Sequence, residues 1–95
     1  MSVYVDDMAR PANITFRPAK WSHLFADTSE ELDEFRQRLG LREEWIQHRG
    51  THREHYDVTT TVRDRAIKMG AQPISYPRGT AELMLRKRAA FEATP

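Results

Sequence analysis

The stretch Trp21-Ser22-His23-Leu24-Phe25-Ala26-Asp27-Thr28 passes a strand to the helix that follows, and this junction sets the fold class. In an extended chain alternate residues share a face, so Trp21, His23 and Phe25 line one side and Ser22, Leu24 and Ala26 the other. Thr28, followed three residues later by Glu31, is a capping-box pattern for a helix N-terminus. Leu32, Phe35 and Leu39 then recur at helical spacing, and Gly40 stands where a left-handed C-cap belongs.

Upstream, Ser2 to Asp6 alternates, with Val3 and Val5 on one face and Tyr4 on the other, which reads as a strand. Residues 8–19 carry Pro11 and Pro18 around Asn13-Ile14-Thr15-Phe16, a loop with room for a short edge strand. Downstream, Arg42 to Gln47 predicts a helical turn that buries Trp45 or Ile46. His48 to Glu54 is polar and contains Gly50, so it reads as an exposed, mobile loop. Tyr56 to Val58 is a brief strand, and Thr59 caps a second helix with Val62, Ala66 and Met69 on one stripe, closed by Gly70. Pro73 to Tyr76 is a short strand. Thr80 caps a third helix over 80–92, where Leu83, Met84, Ala90 and Phe91 pack and Arg86-Lys87-Arg88 form a basic patch. Strands alternating with helices predict a small α/β domain whose single mixed or parallel sheet has three to four strands, accompanied by three helices. The first two strands decide the site. Run parallel, they gather Asp6, Asp7 and Asp27 at one sheet edge; run antiparallel, they part those acids by a strand length.

Ninety-five residues hold one core, so residues 1–95 form a single compact domain. With 39% hydrophobic and 31% charged residues the chain is too apolar for disorder. Fifteen Lys/Arg against fourteen Asp/Glu leave +1, which argues neither for a nucleic-acid binder nor for a surface that seeks acidic partners. The absence of Cys removes disulfides, thiolate zinc ligation and a cysteine nucleophile. There is no secretory signal pattern and no run of roughly 20 apolar residues, so a soluble cytoplasmic protein without a membrane partner is expected.

Asp6, Asp7, Asp27 and Asp57 each fall beside a predicted strand end. Converging carboxylates there suit Mg²⁺ or Mn²⁺, which prefer oxygen ligands; against this, aspartates favour turns and helix N-termini for purely structural reasons. His48, His52 and His55 are spaced by four and three, but Gly50 speaks against a helix, and no His-Glu-x-x-His pattern occurs. His23 shares its face with two aromatic residues, where an enclosed, hydrogen-bonded imidazole is the bland alternative to a ligand or base. In His55-Tyr56-Asp57 the outer two residues converge on one face while Tyr56 points away, and a His–Asp pair of that kind tunes an imidazole for acid–base work. Ser22 beside His23 lacks a nucleophile elbow, and the four scattered glycines form no phosphate loop. Trp21 and Trp45 are expected to fill the core.

Through Val3-Tyr4-Val5-Asp6-Asp7-Met8, Trp21-Ser22-His23-Leu24, Ala26-Asp27-Thr28, Glu31-Leu32, Leu39-Gly40, His55-Tyr56-Asp57, Arg65-Ala66 and Gly70-Ala71 the chain resembles a family of short bacterial and bacteriophage proteins of unknown function. The resemblance spans about residues 3–76 and implies a shared polar set of Asp6, Asp7, His23, Asp27, His55, Tyr56 and Asp57. It gives His48 and His52 less weight, because the segment before His55 is longer here, and it leaves the tail after Tyr76 outside. The leading expectation is a pocket that binds or hydrolyses a phosphate-bearing ligand. Asp6, Asp7 and Asp27 would hold Mg²⁺ or Mn²⁺, and His55, Asp57 and His23 would carry the acid–base steps of a metal-dependent phosphoester hydrolase. The competing class is a non-catalytic phage accessory module that binds a host protein in the host cytoplasm. A nucleic-acid contact through the arginines is the weakest reading.

Overall fold

The computed structural model describes residues 2–14 and 17–93, the side chains of 12–18 excepted. Eight regular elements follow in the order β1 (Val3–Asp6), β2 (Arg10–Ile14), β3 (Arg17–Ala26), α1 (Ser29–Leu39), β4 (Tyr56–Thr59), α2 (Thr60–Lys68), β5 (Gln72–Ile74) and α3 (Arg78–Ala93). A single 3₁₀ turn at Glu43–Trp45 lies between α1 and β4. The fold is a small α/β domain with three helices and a mixed sheet of five strands, one more than the patterning predicts. The extra strand is β2 with the N-terminal half of β3. It realises the short edge strand that the proline-bearing segment 8–19 leaves room for, and the ladder accommodates the prolines, with Pro11 opposite Lys20 and Pro18 opposite Asn13. Thr15 and Phe16 lie outside the described residues.

The ladder registers settle the orientation of the first strands. Leu24 pairs with both Val5 and Tyr56, and Trp21 with both Arg10 and Thr59, so β4 follows one edge of β3 while β1 and then β2 follow the other. All three are antiparallel to β3, and only β5, alongside β1, is parallel. The parallel alternative for the first two strands is therefore corrected: a short connection favours the antiparallel return over a crossover. Between β1 and β2 the chain bulges. Val5 faces Leu24 and Arg10 faces Trp21, so Asp6 to Ala9 stand against only Ser22 and His23. Ala9 takes a left-handed φ of 48°, and its N–H donates to Ser22 Oγ at 3.0 Å. Asp6, the last residue of β1 before the bulge, keeps the face of Tyr4 and so turns toward His23 and α3.

The two sheet faces carry separate apolar clusters. Val5, Leu24, Ala26, Tyr56 and Val58 pack against Leu32, Phe35 and Leu39 of α1 and Ala66 of α2. On the opposite face Tyr4 and Phe25 meet Leu83 of α3. Trp45 does not join the core; it is 51% exposed beneath the Arg42 guanidinium, and Ile46 packs inward instead. Among the described residues no helix is long and apolar enough to cross a membrane.

Helix ends follow the sequence closely at α1. Thr28 Oγ1 accepts from the Glu31 N–H at 3.2 Å and donates to the Glu31 carboxylate at 2.9 Å. Gly40 closes the helix at φ 82°, with its own N–H and that of Leu41 reaching back to Gln37 and Arg36 carbonyls. An added Cβ at Gly40 would meet nothing within 4 Å, so only backbone strain opposes it. Gly40→Ala is therefore expected to cost about 1 kcal/mol, read as a lower urea midpoint at an unchanged slope. Thr59 caps α2 through its hydroxyl, as expected. Thr80 does not cap α3: the helix starts at Arg78, and the Thr80 hydroxyl donates to Asp6 Oδ2 at 2.8 Å.

Candidate functional site

Two ladder positions bring the polar residues together. His23 and Asp57 are direct partners across β3 and β4, and His55 lies two residues before Asp57 on the same face. Tyr56, pointing the other way, is 1% exposed within the α1/α2 core. The edge of β1 adds Asp6 opposite His23. The site thus forms on the α3 face of the sheet, the face that also carries Tyr4 and Phe25.

Asp6 anchors the arrangement. It is fully buried, and its Oδ1 accepts the backbone N–H groups of His23 at 2.9 Å and Met8 at 3.2 Å. Its Oδ2 accepts His23 Nδ1 at 2.7 Å and the Thr80 hydroxyl at 2.8 Å. Burial pushes the Asp6 carboxyl up, but the hydrogen bonds from His23 and Thr80 outweigh it and hold the carboxyl below its usual value. The same bond raises the His23 imidazole above its ordinary value, against the opposing pull of burial. An ionised Asp6 requires a proton on His23 Nδ1, so Nε2 is the ring nitrogen that Asp6 does not engage. His55 is set the same way. Its Nδ1 lies 2.7 Å from the Arg53 carbonyl oxygen, which only accepts, so that nitrogen carries a proton and Nε2 is turned to Asp57. Nε2 of His55 sits 3.4 Å from Asp57 Oδ1, and with Nε2 also protonated its hydrogen bond holds the Asp57 carboxyl below its usual range.

One ligand-type atom from each of His23, His55 and Asp57 lies within 4.8 Å of the others. The His23 and His55 rings meet edge to face with centroids 4.9 Å apart. Phe25 lies 5.6 Å from the His23 ring and 5.4 Å from the His55 ring, and Tyr76 closes the side at 6.0 Å from His23. A first-row ion with bonds near 2.0–2.1 Å needs donors roughly 3.4 Å apart in a tetrahedron, the separation His55 and Asp57 already have. Each imidazole also has its second nitrogen engaged, one by a carboxylate and one by a backbone carbonyl, the usual outer support of a metal-bound histidine.

The carboxylates that the sequence groups together do not converge. Asp27 lies four residues beyond His23 along β3, roughly 13 Å away at about 3.3 Å per residue. There it accepts from the Ser2 N–H at 2.9 Å and the Tyr4 hydroxyl at 3.0 Å. Asp7 is exposed and accepts the Tyr76 N–H at 2.6 Å, holding the turn before α3. Of the expected metal-binding acids Asp6, Asp7 and Asp27, Asp6 reaches the site, as a support for His23, and Asp57 is the carboxylate that lies in it. Nothing in the local sequence marks Thr80, Tyr76 or the Arg53 carbonyl as site groups, whereas strand alternation already puts Phe25 on the face of His23. Thr80 and Tyr76 lie far along the chain, and only the parallel β1–β5 pairing brings them to Asp6 and His23.

No curated protein and no solved structure matches the chain. The family match runs through α3 to residue 90, past the expected limit at Tyr76, and Thr80, Leu83 and Lys87 show why: their burial makes α3 part of the domain. With residues 3–90 matched, the chain belongs to the DUF4031 family, proteins of unknown function.

Proposed function

We propose that His23, His55 and Asp57 hold a divalent first-row metal ion and that the site binds and hydrolyses a phosphate-bearing ligand. The observation that carries this reading is the convergence, within 4.8 Å, of one ligand atom each from His23, His55 and Asp57, each imidazole held through its Nδ1. The roles differ from those the sequence suggests: the two histidines and Asp57 become ligands rather than acid–base groups, and Asp6 becomes their support. Imidazole donors shift the preference from Mg²⁺ towards Zn²⁺ or a similar borderline ion. Three protein ligands leave an open position, and an ion bound there supplies a water of lowered pKa and polarises a phosphoryl oxygen. Asp6 keeps His23 in the ligating tautomer, the Arg53 carbonyl does so for His55, and Phe25 and Tyr76 restrict water on two sides. The first turn of α3 is tied to Asp6 through the Thr80 hydroxyl and so helps to hold that support in place.

A thermal-shift titration with Zn²⁺ tests the site. At a hundredfold excess over Kd the wild-type protein gains about 2.7 kcal/mol. His23→Gln and Asp57→Asn are expected to lose that gain, and a response unchanged from wild type in both variants would refute the ligand set. Release of nitrophenol from aryl phosphate mono- and diesters, present with Zn²⁺ and absent in Asp57→Asn, tests the hydrolytic step.

A further inference from the structure

The loop between Gln47 and His55 is closed rather than loose. Gln47 and His55 exchange backbone hydrogen bonds at 2.8 and 3.1 Å, forming an isolated bridge ahead of β4. Within the loop, Thr51 donates from both its N–H and its hydroxyl to the His48 carbonyl, and the Gly50 N–H donates to the buried Glu54 carboxylate at 3.0 Å. His48 itself adopts φ 54°. A left-handed conformation is costly for a residue with a Cβ and persists where the surroundings impose it. Its effect here is to break the strand alternation and turn the His48 ring onto that of His55, centroids 5.7 Å apart and planes inclined by 32°.

We propose that His48 supplies a fourth, displaceable ligand to the metal held by His23, His55 and Asp57; the inference rests on the metal reading above. Two imidazoles bound to one tetrahedral ion through bonds of 2.0–2.1 Å have centroids roughly 5 Å apart. The His23–His55 pair, at 4.9 Å, already meets that spacing, and His48 stands within an ångström of it at 5.7 Å from His55. His48 is exposed, and its ring makes no hydrogen bond among the described residues, unlike the rings of His23 and His55. An unsupported imidazole is free to rotate onto the ion and to leave it again. In the resting site His48 completes four-coordination, and an incoming anionic ligand takes its place. His52, whose ring instead lies against Phe91 at 6.4 Å, has no such role.

Long-range nitrogen–proton NMR correlations read imidazole nitrogens through carbon-bound protons that do not exchange. On adding one equivalent of Zn²⁺ to the wild-type protein, His23, His55 and His48 are expected to show a metal-bound nitrogen, and His52 an unchanged one. In His48→Gln the other two still bind, but Zn²⁺ affinity by chelator competition falls at least roughly tenfold, whereas His52→Gln keeps the wild-type value. Zn²⁺ uptake with only His23 and His55 shifted, and with His48→Gln at wild-type affinity, overturns the assignment of His48 and leaves the three-ligand site standing. No stoichiometric uptake by wild type, or uptake that survives His23→Gln and Asp57→Asn, overturns the metal reading itself.

Discussion

Asp6→Ala is expected to remove about 3–5 kcal/mol of folding stability, a large share of what a domain of this size holds. The carboxylate is fully buried and accepts four hydrogen bonds, so its loss strands the His23 backbone N–H, the Thr80 hydroxyl and the His23 Nδ1–H in a dry site. Each orphaned group costs about 1–3 kcal/mol, less where the small cavity admits water. Asp6→Asn retains the volume, but its amide turns a donor toward donors, and it should fall between wild type and alanine. Both variants should also weaken Zn²⁺ binding by about 10–100-fold, because His23 loses the group that fixes its tautomer. The acid limb of stability gives an independent readout in the metal-free protein. The folded-state value of Asp6 lies below the unfolded 3.8, so its contribution is present above that value and is lost as pH falls through the folded one. For His23, raised above 6.5, the contribution is complete below that value and is lost as pH rises through the folded one. Asp6→Ala should flatten both limbs. Urea midpoints across the pH range that keep their wild-type profile would contradict this account.

Leu24→Ala should cost about 2–5 kcal/mol by a different physical route. Leu24 has no exposed surface and sits mid-sheet, paired to Val5 on one side and Tyr56 on the other, in the cluster that receives α1 and α2. Truncation leaves a cavity between a ladder and two helices, which cannot all close on it. Its side chain faces away from His23, so the folded fraction should bind Zn²⁺ with wild-type affinity. The two variants thus separate stability from the site: Asp6→Ala impairs both, Leu24→Ala only the first. A Leu24→Ala protein that folds with wild-type stability but has lost Zn²⁺ would reverse the assignment of the two faces.

The residues that spoke most clearly in the sequence were those whose partners are near in the chain. Thr28, Gly40 and Thr59 act through hydrogen bonds spanning a few residues, and the helix ends they mark were legible. The alternation His55-Tyr56-Asp57 likewise placed Tyr56 in the core and the other two together, because the period of a strand is a local property. What was not legible depended on pairing between distant segments. Whether Asp27 meets Asp6 turns on the direction of β3 relative to β1, and nothing within either strand encodes it. The hydroxyl of Thr80 looked like a helix cap because residues beyond it form a helix; its bond to Asp6 needed β5 to run parallel to β1. Prolines in β2 and β3 left the ladder undecided, since a missing donor reads as a break until the strand proves to lie at an edge.

The attachment of α3 has a consequence for exchange with solvent. Of its sixteen residues only Thr80, Leu83 and Lys87 are buried, and the Lys87 ammonium, its pKa lowered by burial, donates to the Ala26 carbonyl at 2.6 Å. Leu85 and Phe91 face outward, 68% and 42% exposed. A helix secured at so few points opens as a unit well below the free energy of global unfolding, and its amides should exchange with deuterium faster than those of α1. Each such opening withdraws the Thr80 hydroxyl from Asp6 and admits water to a carboxylate that is otherwise dry. Local unfolding at one end of the chain is thereby coupled to the electrostatics of a residue at the other.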